Sequence, residues 1–313
     1  MKIAYTISTA NYLAFAKSVA DSVVEHNPEY TYVIVLLDRI NGRFDKDFFN
    51  PHQLMEVEQM GIAEFAEMNE KYTVFELSNA LKPFVTEYLM NQHPNASILV
   101  QLDSDMLAFG RFTHVESVLQ EHAVAITPHI LTPLPEDGQH PTESNFFVSG
   151  IFNAGFVAMN TSDNARRFVQ WWKTMLKDRC YDKPRKGLFV DQIWLNIASV
   201  FFDKVHIVKH FGYNVAAHNL HERQISFRAG AYRVNDNEEL AVYHYTGFDY
   251  RNPSVLSKFQ SRFTFENRPD LKPLFDVWMQ RLEANRMEQF SKMKYLSAPP
   301  RTLWQRLFGK KRR

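Results

Sequence analysis

Ile98-Leu99-Val100-Gln101-Leu102-Asp103-Ser104-Asp105 decides the fold. The first five residues, apolar but for Gln101, read as a buried strand, and the run breaks off on two carboxylates one residue apart. Ligands of open α/β sheets bind beyond the carboxyl ends of the strands. An acidic pair at that spot suits a hard divalent cation, Mn²⁺ or Mg²⁺, bridging to phosphate oxygens. Taken alone, Asp-x-Asp is equally the composition of an acidic turn.

Working outward, residues 3–7 read as another buried strand. Leu13, Ala16, Ala20, Val23 and Val24 then share one helical face that stops near Asn27-Pro28. Residues 32–37 form a second β-branched run closing on Asp38. Helical periodicity covers 58–70, 73–77 reads as a short strand, and 79–91 as a helix that tolerates Pro83 in its first turn. Strands alternating with helices predict an α/β fold with a mixed, mostly parallel sheet, right-handed crossovers and flanking helices. Beyond it, Pro128, Pro133, Pro135 and Pro141 lie among polar residues and make 128–150 a long surface loop. Its place just ahead of Asn153 predicts a mobile lid or acceptor-side loop. A strand at 155–159, helices at 162–177 and 190–199, and strands at 205–208 and 240–245 follow. A charged helical stretch at 270–293 comes last. No internal repeat or low-complexity linker interrupts the chain, so the expectation is one catalytic domain over 1–262 with a helical C-terminal extension over 263–313.

Composition narrows the setting. With 45% hydrophobic and 23% charged residues among 313, the chain can bury a sizeable core. No apolar run reaches the length of a bilayer span, and the first residues are strand-like rather than a signal peptide. Cys180 is the single cysteine, which excludes an internal disulfide and a cysteine metal cluster. These features point to a reducing, cytoplasmic setting. A net charge of +1 argues against nucleic acid as a partner. Six basic residues and no acid fall within 301–313, so a mildly acidic body ends in a cationic tail. There Leu303, Trp304, Leu307 and Phe308 share one face of a short helix. Beside six cations that face suits peripheral contact with an anionic inner membrane surface, or else packing as a terminal helix.

Three further segments carry chemistry. His244-Tyr245-Thr246-Gly247 follows an apolar run; a neutral imidazole can complete a metal shell, and Gly247 lets backbone N–H groups approach phosphate. A structural histidine at a strand end is the plainer reading. Asn153-Ala154-Gly155 and Asp191-Gln192 offer amide and carboxylate groups for sugar hydroxyls. A turn and a helix-opening acid are their plainer readings.

In this order the segments resemble the GT-A (Rossmann-like) glycosyltransferases, particularly retaining enzymes of the family-8 kind. Those enzymes carry a nucleotide-binding first βα turn, Asp-x-Asp, Asn-x-Gly, Asp-Gln on a helix and a late His-x-x-Gly. The chain is also similar to a group of uncharacterised bacterial glycosyltransferases. Shared with them are stretches such as Ala80-Leu81-Lys82-Pro83, Gly150-Ile151-Phe152-Asn153-Ala154-Gly155-Phe156, Gly212-Tyr213-Asn214-Val215-Ala216 and His244-Tyr245-Thr246-Gly247-Phe248-Asp249. The resemblance implies Mn²⁺ or Mg²⁺ held by Asp103, Asp105 and His244. It puts Thr6, Ser8, Thr9, Asn11 and Asp38 at the nucleotide, and Lys82, Ser104, Gly155 and Gly247 at the diphosphate and sugar. Asn153, Asp191 and Gln192 match donor-sugar positions, with Gln192 or Asp191 in the catalytic role at the anomeric carbon. Two departures stand out. Thr9-Ala10 replaces an acidic pair often found there, and Tyr250-Arg251 replaces a phosphate-binding lysine, leaving Arg251 to supply that charge.

The implied activity is retaining transfer from a nucleotide-sugar, a UDP-sugar in preference to a GDP-sugar, to a glycan or lipid-linked acceptor in bacterial surface-glycan synthesis. Two alternatives compete with it. A nucleotidyltransferase acting on sugar phosphates would carry a glycine-rich first turn, and Ser8-Thr9-Ala10-Asn11 has no glycine. A non-catalytic carbohydrate-binding protein on the same fold would have no need to keep Asp103, Asp105 and His244 together.

Overall fold

A computed structural model of the chain describes residues 1–296. β1 (Lys2–Ser8) leads through one 3-10 turn into α1 (Leu13–His26), followed by β2 (Tyr30–Leu36) and β3 (Gln53–Glu56). α2 (Phe65–Lys71), α3 (Val74–Ala80) and α4 (Lys82–Gln92) precede β4 (Ile98–Leu102) and β5 (Met106–Ala108). Next come α5 (Thr113–Glu121), β6 (Val124–Pro128), α6 (Glu143–Ser149), β7 (Phe152–Asn160) and α7 (Asp163–Arg179). A small hairpin, β8 (Asp182–Lys183) and β9 (Leu188–Phe189), leads to α8 (Ala198–Phe201), β10 (Val205–Ile207) and β11 (Val215–Ala216). β12 (Ile225–Arg228), β13 (Ala231–Val234) and β14 (Glu238–Glu239) form an antiparallel trio ahead of β15 (Val242–His244). α9 (Lys272–Ala284) and α10 (Met287–Phe290) close the described chain.

The central sheet has the order β10-β6-β7-β4-β1-β2-β3, and β11-β15-β5 makes a second, smaller sheet. Alternation along β1 explains the layers: Ala4 faces a core built with α1, α9 and α10, while Ile3 and Tyr5 face one built with α4 and α7. β1, β2, β3 and β4 pair in parallel, whereas β7 runs antiparallel to both β4 and β6. Leu102 is therefore paired with Phe156 and Pro128 with Phe152, so the beginning of β7 lies at the edge where its neighbours end. A bulge between Ile126 and Thr127 shifts the register there, a device that re-aims side chains near sites.

Several expectations need correction. Residues 73–77 are not a strand. Thr73 Oγ1 accepts from Glu76 N (3.2 Å) and Glu76 Oε2 from Thr73 N (2.8 Å), a reciprocal cap that starts α3 and overrides the local β preference. The helical pattern at 58–70 is split by Gly61, left-handed at φ +64°, into a 3-10 turn and α2. The helix at 190–199 is a 3-10 stretch, Gln192–Ile197, running into α8. The loop at 128–150 ends in a helix, α6, capped by Thr142. Its earlier part carries side-chain contacts to the second half of the chain. Glu222 accepts from Leu131 N and Thr132 Oγ1 (3.0 and 2.8 Å), and Arg262 Nε donates to Asp137 Oδ2 (2.6 Å).

Among the described residues no helix is long and apolar enough to cross a membrane. The amphipathic reading of 299–313 lies outside the described residues.

Candidate active site

Where β4 ends, the chain turns through Asp103-Ser104-Asp105 into β5. Asp103 N donates to Gly155 O (2.8 Å), which ties the turn to β7, and Tyr245 N donates to Asp105 O (2.8 Å), which brings the end of β15 alongside. His244 Nε2 consequently sits 3.2 Å from Asp105 Oδ1. One ligand atom each from Asp103, Asp105 and His244 falls within 4.8 Å of the others. Asn214 sets the imidazole. Its Nδ2 donates to Thr127 Oγ1 (3.0 Å), so its Oδ1, 3.1 Å from His244 Nδ1, accepts from that nitrogen and Nε2 is aimed at the carboxylates. Burial works against a charged His244, but Asp105 and Asp103 outweigh it and raise the imidazole's pKa.

These residues fit a divalent ion. Lys82 and Gln101 both engage Asp103 through Oδ1, which leaves Oδ2 to ligate, and two carboxylates with one imidazole suit Mn²⁺ or Mg²⁺. Gly155 makes the close packing possible. A Cβ there would lie 2.7 Å from Met106 Cε and 2.8 Å from His244 Cε1.

Below this edge lies a buried ion cluster. Lys82 Nζ donates to Ala154 O (3.1 Å) and forms ion pairs with Asp103 Oδ1 at 2.9 Å and Asp191 Oδ2 at 2.7 Å. Tyr5 anchors the start of α4 from beneath, donating to Lys82 O (2.9 Å) and meeting Thr86 Oγ1 at 2.7 Å. Burial opposes the ammonium, yet Asp103 and Asp191 outweigh it and hold Lys82 above its ordinary pKa. Burial also pushes the Asp191 carboxyl up, against the pull of Lys82. Asp191 thus spends its side chain on Lys82 and caps no helix. Next to it, Gln192 Nε2 donates to Ser149 O (2.7 Å). Asn153 Oδ1 accepts from Gly155 N (2.8 Å), and its Nδ2 lies 3.2 Å from His129 Nε2. His129 stacks on Phe146, and burial lowers its pKa to about 4, so it stays neutral.

The first βα turn is more self-contained than expected. Ser8 Oγ donates to Thr9 O (3.1 Å), Thr9 Oγ1 to Asn11 Oδ1 (2.7 Å), and the Thr6 hydroxyl is buried without a hydrogen-bond partner among the described residues. Asp38 is a buried hub, accepting from Arg39 N, Arg43 Nη2 and Leu296 N at 2.8–2.9 Å. Gly247, at φ +75°, turns the chain after His244 beneath Ser257 and Phe259. Arg251 is clamped on Asp249 by two 2.9 Å bonds.

Five neighbours escaped the sequence reading. Gln101 was the polar exception in an apolar strand, a signal that was there to be used. Asn214, Thr127 and His129 join the site through pairings distant in sequence. Tyr12 packs its ring on Phe15 (4.9 Å) and is partly exposed; burial first, then the Asp105 charge, raises its hydroxyl pKa.

Comparison with known proteins bears on the fold. No family model matches the chain. The uncharacterized protein YfnF of Bacillus subtilis (strain 168) is 22% identical over 202 residues, 64% of this chain and 65% of its own. The chain spans less than two thirds of the length of the curated relatives it matches. Among solved structures, the bifunctional glycosyltransferase WbbM in its apo form superposes with a TM-score of 0.53 at 15% identity, covering 94% of this chain and 51% of that one. The galactosyltransferase LgtC, in complex with donor and acceptor sugar analogues, superposes with a TM-score of 0.50 at 15% identity, over 95% of this chain and 97% of its own. Likeness at that identity speaks to architecture, and with the mixed sheet and its carboxyl-edge site it establishes that this chain has the GT-A glycosyltransferase fold.

Proposed function

We propose that this chain is a glycosyltransferase that moves a sugar from a nucleotide-sugar donor to an acceptor hydroxyl. One observation carries the reading: Asp103, Asp105 and His244 converge at the carboxyl edge of a GT-A sheet, where the buried Lys82 pairs with Asp103 and with the buried Asp191. Asp103, Asp105 and His244 would hold Mn²⁺ or Mg²⁺, which would supply positive charge against the departing diphosphate. Lys82 fixes Asp103 and Asp191 so that neither drifts as charge develops nearby. Gln192 has committed its Nε2 to Ser149 O, which leaves its carbonyl oxygen as the end able to face an electron-poor anomeric carbon. In the transfer, the bond from anomeric carbon to phosphate oxygen breaks and a bond to the acceptor oxygen forms on the same face. The acceptor's proton passes to the departing phosphate.

The finer reading follows the resemblance. The donor is a UDP-sugar, with the base at Asn11 and the 6–9 turn; the acceptor is a glycan or lipid-linked sugar of a bacterial surface polymer. Residues 1–262 carry the chemistry, and 263–313 form an extension whose basic end touches the inner face of the membrane. Incubation with Mn²⁺ and a panel of nucleotide-sugars tests this. One donor should raise the melting temperature and release its nucleotide in a metal-dependent way. No stabilisation by any donor, with or without metal, would overturn the reading.

A further inference from the structure

We propose that a bilayer surface carrying anionic phospholipid docks on the face formed by α6 and the β8–β9 hairpin, independently of the basic C-terminal tail. Phe146 of α6 is buried against His129, but Phe147 next to it is 74% exposed. Val148 is 48% exposed and Ile151, just past the helix, 46%. Singly exposed apolar side chains are ordinary; three within five residues make a patch. α6 packs against β9 and against the 3-10 turn Pro184–Lys186 at the tip of the hairpin. That hairpin carries Lys183, Arg185 and Lys186, with Arg185 and Lys186 exposed.

None of these three cations makes an ion pair among the described residues; Lys183 Nζ lies 3.8 Å over the Tyr181 ring. The acids nearby do not neutralise the face. Glu143 sits in the first turn of α6 and accepts from Leu134 N (2.8 Å), Glu76 is buried and accepts from Asp182 N (3.0 Å) and Thr73 N (2.8 Å), and Asp182 is the single acid on the hairpin. An aromatic and two aliphatic side chains beside unpaired cations have the composition of an interfacial anchor, the rings entering the headgroup boundary and the cations meeting lipid phosphates.

The position of the face gives the docking a use. α6 runs directly into the segment bearing Asn153, and β9 into Asp191 and Gln192. A bilayer held there lies beside the rim where a lipid-linked acceptor would present its sugar. This last step rests on the proposed transfer activity; the docking itself does not.

The test is co-sedimentation of the full-length chain with phosphatidylcholine vesicles, with and without phosphatidylglycerol. The full chain should bind only the anionic vesicles, and less at high salt. Lys183→Glu/Arg185→Glu/Lys186→Glu should weaken binding by about a hundredfold. Phe147→Ser/Ile151→Ser should weaken it by roughly tenfold, both with an unchanged melting temperature. The same losses should appear in a full-length background with Lys310, Lys311, Arg312 and Arg313 changed to glutamine. Wild-type binding by the hairpin and apolar variants overturns the proposal, as does failure of the full chain to bind anionic vesicles. So does an apolar variant that changes oligomeric state and leaves vesicle binding intact, which would assign the face to a second copy. The donor- and metal-dependent rise in melting temperature is a separate readout that Lys183→Glu/Arg185→Glu/Lys186→Glu should not move, so failure of docking and failure of the transfer reading are distinguishable.

Discussion

Lys82 Nζ lies 2.7 Å from Asp191 Oδ2, an ion pair sealed beneath the carboxyl edge of the sheet. With Asp103 on its other side, one ammonium holds two carboxylates that would otherwise repel each other.

Removing that ammonium should therefore unfold more than it inactivates. Lys82→Met leaves buried carboxylate charge uncompensated, with an expected loss of about 3–5 kcal/mol in urea denaturation. Lys82→Met combined with Asp191→Asn should recover much of it. A single variant as stable as wild type would contradict the ion-pair account.

Asp105→Asn should abolish metal-dependent transfer, by about two orders of magnitude or more, while the melting temperature stays near wild type. Its carboxylate stands at a partly exposed turn, where packing loses little. Nucleotide release assayed across a Mn²⁺ titration checks both halves.

Asn214→Ala tests whether His244 is positioned rather than merely present. Losing the acceptor for Nδ1–H frees the ring, and metal affinity should fall about 10–100-fold. His244→Ala should raise the metal midpoint further still. Calorimetric Mn²⁺ titration showing wild-type affinity in both variants would make His244 a structural residue.

Much of this was legible in the sequence. Asp103 and Asp105 announced themselves by ending an apolar run, and α1 by a periodic face that stops at Asn27. Thr73-x-x-Glu76 was a readable cap hidden under β-branched and aromatic neighbours, so local preference pointed the wrong way. Lys82, Asp103 and Asp191 were each singled out, but their pairing was not, because an ion cluster joining residues 82, 103 and 191 exists only after the sheet forms. Asn214 stood within one of the shared stretches, but its bonds to His244 and Thr127 were illegible for the same reason.

His129 predicts a pH dependence. Burial lowers its pKa from 6.5 to about 4 in the folded state. Above 6.5 both states are neutral, and between 6.5 and about 4 only the unfolded chain takes up the proton, so stability falls as pH falls through that window. From about pH 7 to about pH 4 the wild type should lose about 3 kcal/mol more than His129→Gln, measured by urea denaturation at each pH.

The reversed direction of β7 has a consequence for how the chain can change. Because Pro128 and Phe152 are paired neighbours, the segment 129–151 leaves and rejoins the sheet at adjacent points, like a cassette clipped across one gap. Lengthening such a segment costs little closure entropy, each doubling adding only about 0.6 kcal/mol. Its ends are held by the paired strands β6 and β7. Under the proposed transfer reading, exchanging 129–151 as a block would test whether it sets acceptor preference, since Asp103, Asp105 and His244 lie outside the exchanged residues.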